Sequence, residues 1–131
     1  MRAVVCRAHG SYRDMALEEV PAPALGPGDV RIAVEATAVS FANLLVVKGT
    51  HQNTPSLPFT PGTEVAGTVL EVADGVAGLR PGQRVCACVP NGGFADEAVA
   101  RAELSFAIPD GMDMPAATQF PTIYGTGYGC L

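Results

Sequence analysis

"LPFTPGTEVAGTVLEVA", residues 57–73, decides how the rest of the chain is read. Its first part closes a loop, "THQNTPSLPFTPG" (50–62), whose prolines and final glycine forbid regular structure. From Thr63 to Ala73 the residues are rich in β-branched types and read as a strand, in which Gly67 marks a bulge or a close approach of two backbones. Glu64 heads that apolar strand. Its carboxylate is either a hydrogen-bonding anchor for the loop or an acid/base group whose pKa burial would raise.

Working outward, "VRIAVEATAV" (30–39) alternates, with Val30, Ile32, Val34 and Ala36 on one face and Arg31 and Glu35 on the other. At Ser40 the period changes. "SFANLLVVKG" (40–49) places Phe41, Leu44, Leu45 and Lys48 at helical spacing, with Ser40 as N-cap and Gly49 as the stop. Short strands are expected at 2–6, 15–20, 84–90, 94–100 and 104–109. A helix over 113–120 is capped by Asp113, with Pro115 tolerated in its first turn. "PTIYGTGYGCL" (121–131) reads as the start of a helix or an unfinished connection.

The bulk numbers agree with a single β-rich domain. The chain has 131 residues, 48% of them hydrophobic, with 15 Gly, 11 Pro and no Trp, which favours short strands and many turns over helical bundles. Eight basic against 13 acidic residues give a net charge of −5. That counts against nucleic acid as a partner, because phosphate binding rests on Lys and Arg. No run of about 20 apolar residues suggests a membrane span. Cys6, Cys86, Cys88 and Cys130 form no disulfide or zinc-knuckle pattern and read as small buried hydrophobes. The expected compartment is the cytoplasm.

Taken in order, "AVSFANLLVVKG", "PFTPGTEVAGTVLEV", "GLRPGQRVCA", "GGFADEAV" and "PAATQFPTIYGTGY" resemble the medium-chain dehydrogenase/reductase superfamily, and within it the NADPH:quinone oxidoreductase, or zeta-crystallin-like, branch. The resemblance implies a mainly β fold. Residues 1–120 would be a GroES-like, partly open β-barrel with short helices, the catalytic domain. Residues 121–131 would begin the connection toward a Rossmann domain that normally follows. No glycine-rich phosphate loop after a strand occurs in these residues. The isolated chain is therefore expected to be nearly inactive, and a surface near "FPTIYGTGYGCL" to promote self-association.

Zinc-dependent relatives hold the metal with a Cys, the His of a Gly-His-Glu motif and a further Cys or acid. Here Ser40 and Thr63 stand at the first two places, so no metal is expected, a catalytic zinc needing three protein ligands. Hydride addition to a quinone or enone would instead be stabilised by neutral donors. Asn43, Ser40, His51 and Thr126 are the candidate catalytic residues, and Tyr124 offers a further hydroxyl. The resemblance lines the nicotinamide with Phe41 and Thr126. His51 stands where such reductases often have Tyr, and Asn43 where many have Asp. Each residue also has a plain structural role open to it: Ser40 as a cap, Asn43 as a turn-facing amide, His51 as an exposed loop residue, Thr126 as packing. A stand-alone GroES-like binding or assembly module without catalysis is the alternative function.

Overall fold

The computed structural model describes all 131 residues. Strand β1 (Arg2–Val5) pairs antiparallel with β2 (Ala16–Glu19). The remaining strands are β3 (Asp29–Thr37), β4 (Glu64–Val72), β5 (Arg84–Cys88), β6 (Glu97–Arg101) and β7 (Ser105–Ala107). They form one antiparallel sheet in the order β6-β3-β4-β5-β7. Isolated bridges Ala3↔Ala95 and Cys6↔Phe59 tie the β1 side onto this sheet. The result is a curled half-barrel with three short helices, α1 (Phe41–Lys48), α2 (Met114–Ala117) and α3 (Gly125–Gly129).

Val30, Ile32, Val65, Val69, Val85 and Ala98 close the inside of the curl. Burying each Val or Ile side chain contributes about 1.5–3 kcal/mol. On the opposite face Ala66 and Cys86 lie under Met114 and Ala117. A third cluster, Cys6, Val46, Val47 and Phe59, holds α1.

β3 departs from its simple alternation. Val34 stands opposite Gly67 and Ala36 opposite Ala66, so Glu35 is an extra residue on β3. This bulge turns Ala36 away from Val30, Ile32 and Val34 and packs it with Ala66, Cys86 and Ala117 on the other face. Gly67 explains why: a methyl group there would lie 1.9 Å from the Ala33 carbonyl oxygen. The two strands meet too closely for any side chain.

The helix expected over 113–120 is shorter, ending at Ala117. Pro121 has no N–H to continue the ladder, and the chain widens into a π-helical turn over Phe120–Tyr124 before α3. Ser11 caps a 3-10 turn, Tyr12–Asp14, by accepting the Arg13 N–H at 3.1 Å.

Gly67→Ala should lower stability by about 3 kcal/mol or more, since overpacking against backbone has no relief through a flexible side chain. Gly127→Ala, with nothing within 4 Å of the added methyl, should be neutral or stabilising by up to about 1 kcal/mol. Urea unfolding of both variants checks the contrast.

Asp96 supplies a pH-dependent clamp. Its carboxylate accepts the Arg2 side chain at 3.0 and 3.2 Å and the Arg2 N–H at 2.8 Å, fixing β1 to the segment before β6. The guanidinium hydrogen bonds, then the main-chain N–H, hold the Asp96 carboxyl below its ordinary value. A lowered carboxylate contributes stability above its ordinary pKa and loses it as pH falls through the lowered one. Unfolding curves from about pH 5 to about pH 2 should show a decline that Asp96→Asn partly removes.

Candidate functional site

The bulge in β3 leads directly into Val39, Ser40 and the first turn of α1. Ser40 has extended backbone angles as the N-cap. Its main-chain N–H donates to the Asn43 Oδ1 at 2.8 Å, and its hydroxyl donates to the same oxygen at 3.1 Å. Asn43 is 3% exposed. With two donors on its oxygen, the orientation of the amide is settled by chemistry: Oδ1 faces Ser40 and the Nδ2 hydrogens face away. They meet no acceptor in the chain.

Asn43 lines a cavity of about 390 Å³ together with Tyr12, Met15, Val39, Leu44, Val47 and Phe94. The other six side chains are apolar or aromatic. Phe94 is placed by the loop over residues 50–62. Its N–H donates to the Pro61 carbonyl at 2.9 Å, and the Gly93 N–H donates to the Gly62 carbonyl at 3.0 Å. Gly62 has φ +101°, and a side chain on it would strike the Phe94 backbone nitrogen at 2.7 Å. Only glycine lets these two loops meet.

His51 is half-buried, and its Nδ1 accepts the Asn53 N–H at 3.0 Å. In the neutral ring this puts the proton on Nε2, which is then a donor. The Thr54 hydroxyl braces the same turn through the His51 carbonyl at 2.6 Å. Phe41 is 74% exposed at the head of α1. Thr126 lies exposed on α3, and its side chain makes no hydrogen bond. The structure therefore brings Ser40 and Asn43 into contact, whereas no hydrogen bond joins His51 or Thr126 to that pair. Tyr124 stacks on Phe120, ring centroids 4.5 Å apart, and is exposed. Lys48 is exposed at the end of α1.

Glu64 is 5% exposed. The residue anchors its surroundings through its main chain: its carbonyl accepts the Thr37 hydroxyl at 2.8 Å and the Ala38 N–H at 3.3 Å. Its carboxylate makes no hydrogen bond or ion pair, so the expected side-chain anchor is replaced by a backbone one. Across the sheet it faces Cys88, whose sulfur lies 3.7 Å from the Thr122 hydroxyl oxygen. The Val89 N–H bonds the Thr63 carbonyl at 2.9 Å, which makes Glu64 and Cys88 a non-hydrogen-bonded pair with closely set side chains. The placement of Thr122 beside Cys88 escaped the sequence reading, because 34 residues separate them. No three His, Cys, Asp or Glu side chains converge on a point that could hold a metal ion.

Cys6 and Cys86 are buried, Cys88 is half-buried and Cys130 exposed. Burial pushes the Cys6 and Cys86 thiols up from their ordinary value. No helix is long and apolar enough to cross a membrane.

A curled five-stranded half-barrel with a few short helices is the architecture of a GroES-like domain. Residues 26–110 match the family model described as "Alcohol dehydrogenase GroES-like domain". The chain belongs to that family, within the medium-chain dehydrogenase/reductase superfamily. It is 36% identical over 129 residues to the quinone oxidoreductase-like protein 2 homolog of Nematostella vectensis, covering 97% of this chain and 35% of that protein. The crystal structure of the human synaptic vesicle membrane protein VAT-1 homolog-like protein superposes with a TM-score of 0.95 at 34% identity, covering 100% of this chain and 42% of the other. The quinone oxidoreductase from Thermus thermophilus, solved also in complex with NADPH, gives a TM-score of 0.84 at 30% identity, covering 100% and 40%. The chain spans about a third of the length of the curated relatives it matches.

Asn43→Ala should destabilise the chain by about 1–2 kcal/mol, because it strips the half-buried Ser40 N–H of its acceptor. Ser40→Ala leaves that bond in place and should cost less than about 1 kcal/mol. Thermal unfolding of the two variants tests the ranking. A thiol reagent should modify Cys130 first and Cys88 more slowly, with Cys6 and Cys86 protected until unfolding. Mass spectrometry of timed samples reads that order.

Proposed function

We propose that this chain is the catalytic-domain portion of a zinc-independent, NADPH-dependent quinone or enone oxidoreductase. The observation that carries the reading is the Ser40–Asn43 pair, a fixed amide donor facing an apolar cavity at the head of α1. Relatives named quinone oxidoreductases support the substrate class. The side chains support metal independence, since no group of three His, Cys, Asp or Glu is placed to hold a metal ion.

NADPH is the reductant this reading implies. The residues this reading assigns to its nicotinamide end are Phe41, whose ring is exposed, and Thr126, whose hydroxyl is unengaged. Gly125–Gly129 is helical and follows no strand, so it does not form a pyrophosphate-binding loop. When bound, NADPH would supply a hydride to the far carbon of the conjugated carbonyl, and the proton that completes the reduction would come from solvent. As charge builds on the carbonyl oxygen, Asn43 Nδ2–H donates to it, and Ser40 keeps the amide from rotating. The Ser40 hydroxyl hydrogen is already committed to Asn43, so Ser40 acts as a positioning residue. His51, whose Nε2 carries the proton in the neutral ring, is the other neutral donor this reading assigns. Removing one preorganised donor of this kind lowers turnover by about 10²–10³-fold.

A cytoplasmic location fits the four free cysteines. Self-association through Phe120, Ile123, Tyr124, Tyr128 and Leu131, all exposed, is part of the same reading. Sedimentation velocity should show concentration-dependent dimers, and a clean monomer at high concentration would remove that part.

The test of the activity uses the chain alone and the chain fused to a dinucleotide-binding domain from a relative. NADPH oxidation with 1,4-benzoquinone should be negligible for the first and measurable for the second, and unaffected by dialysis against 1,10-phenanthroline. Activity that disappears on chelation and returns with zinc refutes metal independence. A folded but inactive fusion favours a non-enzymatic module.

A further inference from the structure

Strand β5 carries two thiols on one face. Cys86 and Cys88 are two residues apart, so both side chains leave the sheet on its outer face, while Val85 and Ala87 fill the inner core. There Cys86 packs with Met114 and Ala117 of α2. The Cys88 sulfur lies 3.7 Å from the hydroxyl oxygen of Thr122, in the π-helical turn that follows α2. The two thiols also influence each other. Burial is the main cause that pushes the Cys86 thiol up, and the neighbouring Cys88 adds to it.

The spacing decides what such a pair can do. Alternate residues of a strand are about 6.5–7 Å apart, and their Cβ atoms keep that separation. A disulfide needs Cβ atoms about 3.5–4.5 Å apart, so the extended strand does not allow one. An ion held in line between two sulfurs, at thiolate–metal bonds of about 2.3 Å, needs the sulfurs about 4.5 Å apart. Two side chains leaning toward each other along β5 meet that span. Thiolates select soft ions, Cu(I) foremost. Zinc takes at least three protein ligands, and no three His, Cys, Asp or Glu side chains are placed to provide them. A cavity of about 250 Å³, lined by Cys86, Phe106, Phe120, Pro121 and Gly125, leads to the pair. Cys86 is only 3% exposed in it, an opening that suits a monatomic ion rather than an organic thiol reagent. The net charge of −5 favours a cation.

We propose that Cys86 and Cys88 form a binding site for one monovalent thiophilic ion, Cu(I), held in line between the two sulfurs. Both thiols give their protons to solvent as the ion binds, so one positive charge replaces two protons and the pair is left with one net negative charge. The Thr122 hydroxyl donates to the Cys88 sulfur in that state, because a metal-bound thiolate can only accept. Binding therefore fastens the turn Phe120–Tyr124 to β5. The site goes beyond the catalytic reading. It shares no lining residue with the cavity beside α1 and calls for neither NADPH nor a quinone.

The experiment uses the reduced 131-residue chain carrying Cys130→Ser, which removes the exposed thiol. It is titrated without oxygen against the Cu(I)–bicinchoninate complex. The chain should withdraw one equivalent of Cu(I), and native mass spectrometry should show one copper gained for two protons lost. ¹H–¹⁵N spectra should change at Cys86, Cys88 and Thr122 and leave β3 and β6 in place. Cys88→Ser, at the half-buried position, should weaken Cu(I) at least about 100-fold, more than losing a group that only supports a ligand. Cys86→Ala should do the same, and where it loosens the fold the Cys88→Ser result stands alone. Thr122→Val should weaken binding about tenfold with the stoichiometry kept. Excess Zn(II) should not displace the copper. Uptake that is equal in Cys88→Ser, that needs Cys130, or that Zn(II) suppresses at equal concentration overturns the inference.

Discussion

Gly67 is where β3 and β4 come too close for a side chain, and the rest of the architecture depends on that approach. The extra residue that β3 accommodates opposite it turns Ala36 to the outer face and re-aims the chain toward Ser40. A strand continuing in register would have carried Ala36 into the inner core and sent the following residues elsewhere. The helix that begins one residue after Ser40 is held from below by Cys6, Val46, Val47 and Phe59. Its N-terminal turn is thereby fixed against a rigid sheet, and rigid elements are where an oriented donor can be kept to a fraction of an ångström.

A second close approach, between Pro61-Gly62 and Gly93-Phe94, sets the far wall of the cavity. The stretch 57–73 thus contributes twice: its loop half places Phe94, and its strand half places α1. Between them the Asn43 amide faces apolar surface with its oxygen already engaged. The arrangement uses few polar groups, and a neutral donor stabilises developing charge only where water and competing acceptors are few.

Much of the fold could be read from residue patterns. Val30, Ile32 and Val34 alternate as an inner face should, and Ser40 with Gly49 brackets α1 correctly. Ala36 reads onto the wrong face, because period-2 alternation has no sign for a bulge, and the glycine that demands one lies on the partner strand. Pro121 was readable as an interruption, yet the π-helical turn around it was not. At the site, Ser40 and Asn43 lie three residues apart, so their contact was within reach of helix-capping rules. The ring orientation of His51 depends on Asn53 in an irregular loop. The meeting of Cys88 with Thr122 depends on where α2 and the following turn fold back over β5. Neither follows from local sequence.

The proposed function rests on one contact, from Asn43 Nδ2–H to the carbonyl oxygen of a ligand. A crystal structure of the chain with acetophenone bound tests it most directly. The ketone oxygen should lie about 2.9 Å from Asn43 Nδ2, with the ring against Leu44 and Phe94 and the Ser40–Asn43 bonds intact. A ketone whose oxygen points to solvent or to another donor, or an amide rotated away from Ser40, would contradict it.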